Sequence, residues 1–434
     1  MLTCMSQPPH LASLAAPVAP SALADFNHVA SRKGTPAGVA VAATIGNLVS
    51  ITPALSATFG TFLVPISTDF GWSRALVSGV LGLVSLVSAI AYPLVGRLID
   101  QYGARRILIT GNILFALSLA AISLAPANVG LFYLLFGAVG VAGSIPSTAM
   151  FCKVVSGWFD EKRGLMLGLT AGLGNGVGAT IMPVTAGLLL GPYGWRGAFI
   201  GVALIVLVLG APVLLLLLRD APGSTLVQRR DETPLDGVTV GEAIRTPIFW
   251  LLLLGAAAGA GGMTAVFTHV VPILADRGIG LGEATLVVAI FALVTAAWQV
   301  TSGYLLDRLR TPRLITPMYA IAIGGLLLLH LGQGHGALML AGALLGIGLG
   351  AEYAALPYFI SRYFGLRHYG TITGVLYSVV ILVQGVAPTL MDVSFDHRRH
   401  YDFAIWVTIG ALVVGMTLFA CLPRPADPAP KEPS

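Results

Sequence analysis

Along the chain, apolar runs of about twenty residues or more alternate with short polar interruptions, and each run is long enough to cross a bilayer as a helix. The runs fall at roughly 38–66, 73–95, 107–125, 130–156, 164–190 and 195–218, then at roughly 247–274, 284–306, 314–332, 336–362, 371–393 and 402–422. This pattern predicts an all-α membrane protein with twelve transmembrane helices. Pro and Gly inside the runs are compatible with it, because neighbouring helices and local water re-satisfy the backbone groups that they free.

The interruption between the second and third runs reads Gly96-Arg97-Leu98-Ile99-Asp100-Gln101-Tyr102-Gly103-Ala104-Arg105-Arg106 and carries four charged side chains in eleven residues. An offset of 207 leads to a second copy, in which Gly96, Leu98, Asp100 and Arg106 recur as Gly303, Leu305, Asp307 and Arg313. The same offset maps Val64-Pro65-Ile66 and Asp69 onto Val271-Pro272-Ile273 and Asp276. The chain therefore reads as a duplicated six-helix unit.

Composition removes the soluble alternatives for these 434 residues. Apolar residues make up 56% and charged ones 10%, against about 25% charged in ordinary globular domains. The net charge of +5 sits mostly in loops, so no nucleic-acid partner is implied. Cys4, Cys152 and Cys421 are too scattered for a disulfide framework or a metal site. Residues 1–37, rich in Ala, Pro and Ser, have little to bury and read as a disordered tail; no basic stretch precedes an apolar core, as a signal peptide would require. Of the 24 Lys and Arg residues, 19 fall on one side of the predicted spans. The positive-inside rule makes that side, with both termini, cytoplasmic. The expected organisation is a first half at 38–218, a cytoplasmic linker at 219–246, a second half at 247–422 and a tail at 423–434.

This parallel duplication, with its G-x-L-x-D-x-x-G-x-R-R loop after the second span, resembles the major facilitator superfamily. The resemblance implies two halves that rock about a central site, exposing it alternately to either side of the cell membrane. It also implies that the loop is a cytoplasmic latch stabilising the outward-open state. Asp100 is expected near the start of the third helix, where the helix dipole favours a carboxylate, with Arg105 and Arg106 pairing with it or with lipid headgroups. The copy at Asp307 lacks the counterparts of Gly103 and Arg105, so its latch is expected to be weaker. Phe70-Gly71-Trp72-Ser73-Arg74, together with Trp158-Phe159-Asp160-Glu161-Lys162-Arg163-Gly164, narrows the likeness to the monocarboxylate and oxalate/formate porter branch. Gly164, Gly168, Gly172 and Gly176 line one helix face and permit close helix contact.

Ionisable and polar groups inside the spans are the candidate chemistry. Glu352 lies near the middle of the tenth span, where a charge costs about 2.5–3.5 kcal/mol to insert. It fits a proton-coupling carboxyl or a neutral interhelical hydrogen-bonding group. Lys153 fits a gating or substrate role, or a stem that snorkels to the cytoplasm. His269, in the seventh span, fits a substrate contact, a titrating group or a satisfied polar residue; His330 reads as a satisfied polar group. Asn47 and Tyr353 are candidates to hydrogen-bond a substrate. In the oxalate/formate branch, basic residues in the eighth and eleventh helices help to bind a dianion, and here those places hold Gln299 and Gln384. A carboxamide offers donors and acceptors without charge, so oxalate is disfavoured. A monocarboxylate travelling with a proton, or a neutral solute, fits instead. The apolar stretch Leu134–Gly143 also lacks the Arg of many proton-coupled drug exporters.

The expectation is thus a secondary active transporter of a small organic acid or related metabolite, proton-coupled by symport or antiport, with a small-molecule substrate and lipid as partners and no cofactor. The alternatives are an exporter of hydrophobic or neutral solutes, and a transporter-derived sensor, which the short linker and tail argue against. No Walker loop, metal-ligand cluster or nucleophile motif points to an enzyme.

Overall fold

A computed structural model describes residues 35–221 and 237–425. The expected N-terminal tail up to residue 34, residues 222–236 of the linker and the C-terminal residues from 426 lie outside them. The described residues are helical throughout, apart from loops and one isolated bridge between Gly237 and Gly365. Eleven helical stretches are long and apolar enough to cross a membrane. The longest, Arg163–Leu217, runs for 55 residues and breaks at Gly194, whose φ of 62° and ψ of −179° take the chain out of helical geometry. That stretch holds two crossings, which brings the total to the expected twelve.

The crossings are α1 (Pro36–Phe70), α2 (Arg74–Tyr102), α3 (Ala104–Ile122), α4 (Val129–Trp158), α5 (163–193) and α6 (195–217). The second six are α7 (Pro247–Asp276), α8 (Leu281–Leu309), α9 (Ile315–Leu331), α10 (His335–Tyr363), α11 (Tyr369–Arg398) and α12 (Asp402–Cys421). Before α7, Thr239 and Glu242 form a capping box around a single helical turn at Val240–Ile244. Hydrogen bonds from Thr239 hold the Glu242 carboxyl below the usual carboxylate range.

The main departure from the expected boundaries is at the charged interruptions. α2 continues through Gly96 and Asp100 to Tyr102, and α8 continues to Leu309. Nothing in Arg97-Leu98-Ile99-Asp100-Gln101-Tyr102 breaks a helix, and polarity alone does not end one. Asp100 therefore sits in the last turn of α2 and not at the start of α3. The turn itself is made by Gly103, at φ 92°, and Asp220 accepts from the N–H groups of Ala104 and Arg105, at 2.7 and 3.1 Å.

α1 and α5 each contain a π-helical turn, at Thr52–Ala57 and Thr170–Asn175. Such turns displace the regular hydrogen bonding and leave carbonyls to be satisfied elsewhere. Thr58 donates its hydroxyl to the Pro53 carbonyl at 2.7 Å, and Asn47 donates to the Thr170 carbonyl at 2.8 Å.

Two seams join the first six helices to the last six. In one, α5 packs on α8: a Cβ on Gly164, Gly168 or Gly172 would run into the carbonyl of Gly303, Gln299 or Ala296 respectively. In the other, α11 packs on α2: Gly370 abuts the Gly96 carbonyl, Gly374 abuts the Tyr92 carbonyl, and Ser378 donates to the Ala89 carbonyl at 2.5 Å. Small residues four apart let the two backbones touch, as the spacing from Gly164 to Gly172 predicts.

Candidate functional site

Between the two seams lies a cavity of about 1010 Å³. From the first six helices it is lined by α1, α2, α4 and α5, and from the last six by α7, α10 and α11. It is open at the end of the bundle that carries Asp392 and closed at the other, basic end, where the seams meet.

The closure is built from two reciprocal caps. Asp100, at the end of α2 and 1% exposed, accepts from the Gly370 and Thr371 N–H groups at the start of α11, at 3.0 and 2.7 Å, and from the Thr371 hydroxyl at 2.7 Å. Asp307, at the end of α8, accepts from the Gly164 and Leu165 N–H groups at the start of α5, at 2.7 and 2.8 Å. Each carboxylate thus sits on the positive end of a helix belonging to the other six. Lys153 of α4 forms a buried ion pair with Asp100, so its side chain turns inward and does not snorkel. Asp160 bonds Arg362 across the same closure, at 2.9 Å. Arg163 donates to the Ser361 hydroxyl at 3.0 Å.

The expected partners of Asp100 are elsewhere. Arg105 bonds the Leu215 carbonyl at 2.9 Å, within its own half, and Arg106 is exposed. The Asp307 cap keeps its two backbone bonds. What it lacks is a lysine and a hydroxyl.

Of the residues expected to contact a substrate, Tyr353, Gln384 and His269 line the cavity, as does Glu352, the expected proton-coupling carboxyl, and Tyr353 lies beside Gln384. Asn47 and Gln299 do not. Asn47 is fully buried and ties α1 to α4 and α5: it donates to the Thr170 carbonyl and accepts from Thr148 and Ser50 at 2.7 and 3.2 Å. Removing it orphans three polar groups, so Asn47→Ala is expected to cost about 2–4 kcal/mol of stability. The measurement is the melting temperature of the purified protein, which should fall. Gln299 is buried in the α5–α8 seam against Gly168 and Gly172, because α8 turns that face to α5 and not to the cavity.

Glu352 contributes to the cavity wall, yet both carboxyl oxygens are enclosed and in no standard hydrogen bond. They face the Tyr319 hydroxyl of α9 across Gly259, where any side chain would displace them. Among the described residues no basic side chain pairs with Glu352.

Sequence reasoning missed much of the lining: Tyr92, Thr148, Asn175, Tyr377 and Asp392, with a file of hydroxyls on α2 at Ser78, Ser85 and Ser88. The seven- and three-residue spacing of these serines could have marked that face of α2. No Lys or Arg is among the lining residues; the charged or chargeable ones, tyrosines aside, are Glu352, Asp392 and His269.

Comparison with known proteins places this geometry. The family model described as Major Facilitator Superfamily matches residues 46–388, and again 270–434. Monocarboxylate transporter 11 of Mus musculus is 27% identical over 399 residues, covering 89% of this chain and 88% of the relative. The oxalate:formate antiporter of Oxalobacter formigenes is 25% identical over 261 residues, 59% of this chain and 60% of that protein. Among solved structures, the E. coli fucose:proton symporter superposes with a TM-score of 0.64 at 15% identity, covering 89% of this chain and 97% of its own. The proton:xylose symporter bound to 6-bromo-6-deoxy-D-glucose gives 0.68 at 14%, covering 89% and 95%.

Proposed function

The chain belongs to the major facilitator superfamily and is a membrane transporter rather than an enzyme, and from that premise we propose that it carries a small monocarboxylic acid together with a proton by alternating access. The observation that carries this reading is the cavity open at one end, with Asp100 and Asp307 each capping a helix of the opposite half at the closed end. Carboxylates on opposing helix ends hold the basic end shut through bonds that a rocking motion of the halves would break one for one. By the positive-inside rule the basic end is cytoplasmic, so the cavity faces outward. The gate comprises Asp100, Lys153 and Asp307, with Asp160 and Arg362.

The chemistry of the lining supports the cargo assignment. With hydroxyls, Asn175, Gln384 and three tyrosines but no Lys or Arg, the cavity offers hydrogen bonds without fixed cations. A dianion would lose its hydration with too little counter-charge. A monoanion accompanied by a proton is neutral overall. The relatives named as monocarboxylate transporters agree with that class. Glu352 is the proton carrier in this scheme: an enclosed carboxyl without a salt-bridge partner binds and releases a proton with the least competition from fixed charge. A neutral amphipathic solute is the second reading, favoured by Phe59, Leu63, Leu349 and Val380 in the same wall.

Uptake into proteoliposomes separates the two. Acetate, lactate, pyruvate and benzoate are offered beside benzyl alcohol, with and without an inward proton gradient. An acid that accumulates only with the gradient, and beyond its level in protein-free liposomes, is the expected result; gradient-independent movement of the alcohol alone, faster than in protein-free liposomes, would favour the second reading.

A further inference from the structure

His269 of α7 and Asp392 of α11 meet in the wall of the open end of the cavity, with His269 Nε2 2.8 Å from Asp392 Oδ1. The histidine is 6% exposed, and the carboxylate side chain is 63% exposed. The remaining hydrogen bonds fix what the ring must carry. Nδ1 lies 2.8 Å from the Ala265 carbonyl, which can only accept. It also lies 3.0 Å from the Thr268 hydroxyl, which can accept from Nδ1 while donating to the Thr264 or the Ala265 carbonyl, at 3.1 and 2.9 Å. Nδ1 therefore bears a hydrogen. Nε2 then faces a carboxyl oxygen, and a neutral ring there would set acceptor against acceptor. The contact is a hydrogen bond only if the pair holds one further proton, either as imidazolium with carboxylate or as neutral ring with carboxylic acid.

We propose that His269 and Asp392 form a proton-and-carboxylate binding site at the mouth of the cavity, where the imidazolium anchors an incoming monocarboxylate and Asp392 takes up the accompanying proton. This rests on the acid–proton reading above and gives that reading its entry site.

Carboxylates and aromatic rings surround the pair. Asp276, on α7 itself, and Asp392 and Asp396, on α11, gather around Tyr401, whose ring lies 5.9 Å from that of His269. Of the cations at this end, Arg277 bonds the Leu329 and Gly332 carbonyls, and Arg398 stacks on Phe403. Glu283 of α8 pairs with His335, while Asp402 is shared by His330 and His400. Glu352 contacts α7 at Gly259 and Ala260, nine residues deeper than His269, or about 13 Å along the helix. The two sites are therefore separate.

The charge balance is direct. The pair is neutral as imidazolium with carboxylate. A monocarboxylate that takes the imidazolium from Asp392 brings two anions together; one proton onto Asp392 restores neutrality, so one proton is taken up per acid bound at this entry site, ahead of the coupling step assigned to Glu352. Outside pH then controls affinity. KM for the external acid anion falls as pH falls, by up to about tenfold per pH unit for one coupled proton.

The test uses the full-length protein in two ways. In proteoliposomes, external KM for acetate, lactate, pyruvate and benzoate is measured from pH 5.5 to 7.5 with His269→Gln. At least a tenfold rise in KM with its pH slope lost, and maximal rate within twofold, is expected; an unchanged KM and slope would overturn the proposal. Glu352→Gln should keep the slope, and its loss there would assign the titration to Glu352 instead. In parallel, 15N NMR of histidine-labelled wild-type protein, assigned by the signal missing in His269→Gln, reads the ring nitrogens at pH 7. An imidazolium, protonated on both Nδ1 and Nε2, is expected; a neutral Nδ1–H ring accepting from a protonated Asp392 would overturn the proposal. A bare Nδ1 with hydrogen on Nε2 alone would overturn it. Should none of the four acids move in the wild type, the cargo reading falls along with the anion role, while the NMR result still decides the proton.

Discussion

An Asp100→Ala protein is expected to insert and fold but to lose almost all uphill transport, because its cytoplasmic end no longer stays shut. The substitution removes three hydrogen bonds to a carboxylate and leaves Lys153 buried without its anion. Hydrogen bonds to charged groups contribute about 1.5–3 kcal/mol each, and stripping one partner from a buried ion pair costs about 3–5 kcal/mol. Not all of this falls on one state, since Lys153 and Asp100 belong to the same half. A net bias of about 3 kcal/mol towards the inward-open state is a conservative sum, equivalent to roughly a hundredfold change in population. The readout is the maleimide labelling rate of a Ser156→Cys reporter, buried in the wild type, in a background with Cys4, Cys152 and Cys421 all changed to Ser. Asp307→Ala should give the smaller increase, since that carboxylate holds two backbone N–H groups and neither a lysine nor a hydroxyl. An equal or larger effect at Asp307 would show that the caps, and not the Asp100–Lys153 pair, dominate the closure.

Glu352→Gln is expected to abolish proton-driven accumulation while sparing exchange. The carboxamide keeps the shape of the carboxyl beside Tyr319 and Gly259 but cannot bind and release a proton. One pH unit is worth about 1.36 kcal/mol and sustains about tenfold accumulation of a singly coupled solute. The wild type should approach that ratio at a one-unit inward gradient. The variant should stop at a ratio of one, with counterflow of the same acid continuing at a comparable rate. A variant that still concentrates the acid would move the coupling role away from Glu352, with His269 and Asp392 the next place to look.

Much of the fold was legible because membrane helices announce themselves by length and apolarity, and because the duplication repeats Asp100 as Asp307 at a fixed offset. The close contact of α5 was legible too, since glycines four apart mark one face. What could not be read was the partner of each residue. Asp100 and Thr371 lie 271 residues apart, and no local pattern says that a carboxylate ending one helix will cap another in the other half. Arg105 and Arg106 were cations of the same charged stretch, and the paired cation proved to be Lys153. The rotation of α8 was equally hidden: counting back from Gly303 finds Gln299 but not the face it occupies, which is the seam. Asn47 failed differently, because the π turn of α5 exposes a backbone carbonyl that a regular helix would have satisfied. The hydroxyls lining α2 carried no signal by type, since Ser and Thr in a helix commonly bond their own backbone.

The two ends of the bundle are expected to open in alternation about the cavity. Pulsed-dipolar spectroscopy tests it most directly, with one spin-label pair on Glu161 and Arg310 at the basic end and another on Phe70 and Arg277 at the open end. Lowering the pH in the presence of a transported acid should lengthen the first distance and shorten the second in the same molecules, and Asp100→Ala should do so without the acid. Distances that stay fixed at both ends, or that change at both ends in the same direction, would contradict it.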